Sequence, residues 1–134
     1  MTQLNPTARL KTAMAEALKK LPFKRSGVVT RMNDLAAAEG ITCNGRKQIV
    51  TEHILDKWLA QSRPEYVIPL RYLPIFCHVT ESLSALDAMA DCLGARVIDA
   101  KESKILDWIR SEEKLRELVR ETNRLRQEAG LTLL

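Results

Sequence analysis

Aromatic side chains are scarce in this sequence: two Trp, two Tyr and two Phe make up only 4% of its residues. Sandwiches and barrels draw on aromatic and β-branched residues, so this scarcity beside abundant Ala, Leu, Lys, Arg and Glu points to helices. No apolar run approaches the 18 residues of a membrane span. The first residues lack the apolar core of a secretory signal, so the expectation is a cytoplasmic chain. There is no internal repeat and no low-complexity tract. Gly-rich phosphate loops, GxSxG and HExxH are all missing, which leaves the enzyme reading with no positive support.

Cysteine is sparse as well. Cys43, Cys77 and Cys92 are three in number and far apart. They form no CxxC pair, and His53 and His78 complete no zinc spacing. Neither a metal nor another cofactor is expected. Cys77 and His78 are neighbours, yet no third group orients them as a nucleophile and base. The thiols read as buried or incidental in a reducing compartment.

What is present is an ordinary globular balance. Of 134 residues, 46% are apolar and 28% charged. That is one domain, or a small domain with an appendage, long enough to bury a core without disulfides or metals. The net charge of +4 is unevenly spread. Residues 1–63 carry 11 basic and 5 acidic side chains, residues 64–100 carry 2 and 5, and residues 101–134 carry 8 and 7. A basic surplus confined to the first half suggests an anionic partner there.

Asn5-Pro6 starts a helix over about residues 6–21, with Leu10, Met14, Ala17, Leu18 and Leu21 inward, Lys11, Glu16, Lys19 and Lys20 outward, and Pro22 as its stop. Ser26 caps a second helix over about 26–39, with Val28 or Val29, Met32, Leu35 and Ala36 buried and Gly40 at its end. Asn44-Gly45 is a hairpin-turn signal. Residues 41–50 therefore form either a small β-hairpin or a plain polar loop. Thr51 caps a third helix, with Leu55, Trp58 and Leu59 inward and Glu52, His53, Asp56 and Lys57 outward. Ser62-Arg63-Pro64 ends it. Pro69 opens a helical piece with Leu70, Leu73, Phe76 and Cys77 apolar, and Pro74 sits either in a first turn or at a kink. Thr80 or Ser82 caps another helix, bearing Leu83, Leu86, Met89, Ala90 and Leu93, which Gly94 closes.

From residue 100 to 129 runs one long helical pattern. Its apolar stripe is Ile105, Trp108, Ile109, Leu115, Leu118, Val119 and Leu125, with Thr122 in line. The heptads are impure: Glu112 and Arg126 interrupt one register, and Ser111 the other. The interleaved charges read as a solvated face. A stripe this long needs a partner surface. Self-association is the simplest, and packing on its own domain is the alternative.

The segment Val50-Thr51-Glu52-His53-Ile54-Leu55-Asp56-Lys57-Trp58-Leu59 resembles the recognition helix of phage-repressor-like (lambda-repressor/CII-like) helix-turn-helix regulators. Val50, Thr51, Leu55, Trp58 and Leu59 carry the likeness. Residues 28–36, with Met32 and Leu35 inward, look like the first motif helix. The Pro69 helix and the Ala-rich helix ending at Leu93-Gly94 look like the closing pair. The likeness covers roughly residues 10–94. It departs from the family in the turn, where Gly40 to Val50 intervene instead of a few residues. It implies an all-α chain: a five-helix DNA-binding domain over 1–95, then an oligomerisation helix within 96–134. No membrane association and no small-molecule substrate are expected.

Physical chemistry supports this reading independently. A helix in the major groove needs short polar side chains near its N-terminus and an apolar back. Thr51, Glu52, His53, Asp56 and Lys57 supply the first; Leu55, Trp58 and Leu59 supply the second. Ile54 lies between the faces. Glu52 and Asp56 accept from cytosine amino groups or pair on the helix surface, and the surface pair is the plainer reading. Lys57 is the leading candidate for a guanine or phosphate contact. Arg46, Lys47 and Gln48 lie beside the helix as groove contacts or an ordinary basic loop. Lys24, Arg25 and Ser26 stand at a helix N-terminus that favours phosphate, Arg31 lies on the exposed side of that helix, and Arg63 follows the third helix. The expected function is a sequence-specific, oligomeric regulator that binds double-stranded DNA. The alternative is a helical adaptor or toxin-like prophage protein that keeps the fold without DNA binding.

Overall fold

Leu10, Met14, Val28, Met32, Val50, Leu55, Trp58, Tyr72 and Phe76 meet in one buried cluster, and five short helices are arranged around it. The computed structural model describes residues 4–41 and 49–130. Among these the chain is all-α: α1 Thr7–Lys19, α2 Arg25–Ala38, α3 Glu52–Leu59, α4 Leu73–Thr80, α5 Ser84–Asp91 and α6 Ala100–Glu128. The hairpin considered for 41–50 falls largely outside the described residues. The chain divides into two compact units, Met1–Val97 and Ile98–Leu134. No helix among the described residues is long and apolar enough to cross a membrane.

In the first unit α1 packs on α3 and α5, α2 on α3 and α4, and α4 on α5. The Trp58 and Tyr72 rings meet at 5.9 Å, tilted by 48°. That geometry joins α3 to the start of α4.

The helix ends follow local chemistry. Asn5 Oδ1 accepts from the Thr7 N–H (3.1 Å) and hydroxyl (2.7 Å) at the start of α1. α2 closes in a Schellman turn. Gly40 takes φ +67°, and Ile41 N–H donates to Ala36 O at 2.8 Å. Thr51 Oγ1 accepts from Ile54 N–H at 3.2 Å and so caps α3. Pro74 sits in the first turn of α4, where its missing N–H is harmless.

Several sequence expectations give way. Lys11, expected outside, is 1% exposed. Ser26 lies inside the first turn of α2, and Lys24 is the cap residue. Helix α4 begins at Leu73 instead of Pro69, which leaves Leu70 81% exposed. Of the two caps expected for α5, Thr80 belongs to α4, where its hydroxyl donates to Phe76 O at 2.8 Å, while Ser82 Oγ accepts from the N–H of Ser84, the first residue of α5, at 3.2 Å. In α5 the buried residue is Ala85, while Leu83, Met89 and Leu93 are exposed. At eight residues, α5 has little more than two turns, too few for its whole apolar set to share one buried face.

In the second unit, Asp99 Oδ1 accepts from Glu102 N–H at 2.8 Å and caps α6. None of the 29 residues of α6 is buried.

Candidate nucleic-acid interface

The back of α3 is tied down at three points. Leu55 and Trp58 enter the core. At its front, Asn33 of α2 makes two hydrogen bonds to the fully buried Val50: its Nδ2 donates to Val50 O and its Oδ1 accepts from Val50 N–H, both at 2.8 Å. This pair satisfies both backbone groups of the residue that leads into Thr51. At the far end, Lys11 of α1 donates from Nζ to the carbonyls of Lys57 (3.1 Å), Trp58 (3.0 Å) and Tyr66 (2.6 Å). A cation there satisfies last-turn carbonyls and opposes the negative end of the helix dipole. Burial pushes the Lys11 ammonium below its ordinary value, and Glu65 partly restores it.

These ties leave Thr51, Glu52, His53 and Asp56 exposed on the opposite side, with Ile54 and Lys57 half-buried. The N-terminus of α2 is brought beside α3. Arg25 Nη1 pairs with Asp56 Oδ1 across the two helices. Both side chains are about half exposed, so the pair adds little stability. It does offset the Asp56 charge and engages one of the two cations at the α2 start. Lys24 and Ser26 are exposed.

Other expected contacts are placed elsewhere or engaged. Lys57 Nζ lies 4.8 Å from the centroid of the Tyr66 ring, and Arg63 Cζ lies 5.9 Å from it. Arg31 stacks over Phe23 at 4.1 Å. It also lines a shallow cleft of about 330 Å³ with Asp34, Leu35, His78, Val79 and Glu81, between α2 and α4. Arg46, Lys47 and Gln48 lie outside the described residues, as does Cys43.

Three residues that the sequence pattern does not single out matter here: Asn33, Lys11 and Tyr66. Asn33 carries no periodic signal. Lys11 reads as an outward charge, and Tyr66 as loop. His78 is exposed beside the buried Cys77, and burial raises the Cys77 thiol above its ordinary value. Among the described residues, no group of three or more His, Cys, Asp or Glu could hold a metal ion. Compared with known protein families, with curated proteins and with solved structures, the chain matches none.

Proposed function

We propose that the chain is a sequence-specific DNA-binding regulator of the phage or prophage type. Its first unit acts as a five-helix, phage-repressor-like helix-turn-helix domain, and α3 enters the major groove. The observation that carries this is the mounting of α3. Its apolar back and both ends are fixed by α1, α2 and the core, while Thr51, Glu52, His53 and Asp56 are exposed. A reading helix needs a fixed angle and short polar side chains at its entering end. Lys24 at the adjoining α2 start, with Arg46 and Lys47 in the connection, supplies positive charge for phosphates. α6 brings copies together through Ile105, Trp108, Ile109, Leu115, Leu118, Val119, Thr122 and Leu125. Two-fold symmetry then calls for half-sites about 34–36 Å apart. Such a regulator acts in the cytoplasm on double-stranded DNA and needs no cofactor.

The exposed carboxylate of Glu52 on the same face favours a second reading, a helical adaptor that docks a basic protein. Fluorescence anisotropy with labelled random-sequence duplex DNA over a salt series separates the two. The expected result is affinity that falls steeply with salt and weakens in a Lys24→Ala, Arg46→Ala, Lys47→Ala variant. No binding at the lowest salt removes the regulator reading and leaves the adaptor.

A further inference from the structure

Tyr66 is an exposed aromatic with an anchored backbone. Its side is open to solvent at 42% exposure, yet both of its backbone groups are engaged. Its N–H donates to Arg63 O at 3.1 Å, and its carbonyl accepts from the buried Lys11 ammonium at 2.6 Å. Two further cations flank the ring, Lys57 at 4.8 Å and Arg63 at 5.9 Å from its centroid. Cations over a ring face are attracted to it, so the ring holds both charges beside it. Glu65 is the acidic neighbour in the chain. It opposes one of three positive charges and leaves the cluster basic.

The C-terminal end of a helix ordinarily repels an anion, because the last carbonyls carry partial negative charge. Here Lys11 donates to two of those carbonyls, Lys57 O and Trp58 O, which offsets that repulsion beside the Tyr66 ring. We propose that Tyr66, Lys57 and Arg63 form a phosphate contact that holds the sugar–phosphate backbone of duplex DNA at the C-terminal end of α3. The two cations meet the phosphate charge. The phenol hydroxyl donates to a phosphate oxygen, and the ring edge packs on the deoxyribose. The site rests on the DNA-binding reading above and adds to it a second anchor, at the end of α3 opposite Thr51.

The test uses the full chain and labelled random-sequence duplex over about 50–200 mM salt, read by anisotropy. Arg63→Gln and Lys57→Gln are each expected to lower the slope of log affinity against log salt by about 0.9. Tyr66→Ala is expected to weaken binding about three- to tenfold with little change in slope, as a neutral contact does. Arg63 and Tyr66 are exposed, so their variants carry the test even if Lys57→Gln lowers the thermal midpoint. Arg96→Gln removes an equal charge elsewhere and is expected to leave the slope unchanged. Wild-type slope and affinity in the Arg63 and Tyr66 variants overturn this site while the DNA-binding reading stands. An equal loss in Arg96→Gln also overturns it, since the effect is then a long-range field. A wild-type chain that binds no duplex at the lowest salt overturns both.

Discussion

Lys11 is the residue on which periodicity misleads most. Between Leu10 and Thr12 a lysine reads as the solvent side of α1, since a charge on an amphipathic helix normally faces water. Its three acceptors lie 46, 47 and 55 positions away, beyond any local window. Removing the ammonium while keeping the stem, as in Lys11→Met, takes this donor from the Trp58 and Tyr66 carbonyls, whereas Lys57 O keeps the Ala60 N–H. A loss of about 1–3 kcal/mol is expected near neutral pH in urea denaturation. The pH dependence has a definite sign. Burial lowers the Lys11 pKa in the folded chain below its ordinary 10.5. Between that lowered value and 10.5 the unfolded chain binds more protons, so the Lys11 contribution to stability rises with pH in that window. Below the window the cost of holding the buried charge is constant. Lys11→Met lacks this dependence, so the margin of wild type over the variant is expected to widen as the pH rises toward 10.5. A margin that narrows would mean that folding favours the charged form.

Helix α3 is legible in the sequence because its signals are dense and local: Thr51 as cap, Leu55 and Trp58 inward, and polar residues between them. Burial and the Ile54 N–H bond to Thr51 bear these out. The ends of α2 and α5 are equally legible, since Gly40 and Gly94 both take positive φ after the last turn. The start of α4 and the buried face of α5 are not. Pro69 marks a turn three residues before the cap, and an eight-residue helix leaves periodicity too few repeats to separate Ala85 from Leu83 and Met89. The junction of α4 and α5 hides another feature. Glu81 occupies the left-handed position of a Schellman turn at φ 52°, with Ser82 N–H donating to Cys77 O at 3.1 Å. A side chain there crowds its own backbone, and glycine does not. Glu81→Gly is therefore expected to raise stability by about 0.5–1 kcal/mol, visible as a higher thermal midpoint, with part of the relief offset by the freer unfolded chain. An unchanged or lower midpoint would mean that the Glu81 side chain contributes more, beside Arg31 and His78 in the shallow cleft, than its backbone strain costs.

Among the described residues the second unit carries one long helix. Helix α6 spans 29 residues, about 44 Å, with no buried side chain. Its internal ion pairs, Arg124 with Glu121 and Glu128 and Asp107 with Arg110, are more than half exposed. Such pairs contribute little each and do not require a single apolar stripe. The stripe is another matter: Trp108 is 62% exposed, Leu115 62%, Leu118 64% and Val119 52%. Each large apolar side chain contributes about 1.5–3 kcal/mol when fully buried, so a second copy of α6 offers far more than the surface pairs. Thr122 fits within such a seam, because its hydroxyl already donates to Leu118 O at 2.8 Å and leaves its methyl for packing. Leu118→Glu and Trp108→Glu each place a charge in this stripe without touching the first unit's core. Wild type is expected to sediment as a dimer or higher assembly, and both variants as monomers with unchanged Trp58 burial. If α6 sets the spacing of two reading helices, the variants lose affinity for paired half-sites and keep that for a single half-site. A wild-type chain that sediments as a monomer at concentrations saturating for DNA would reject self-association and turn attention to a different protein on the Trp108–Leu125 stripe.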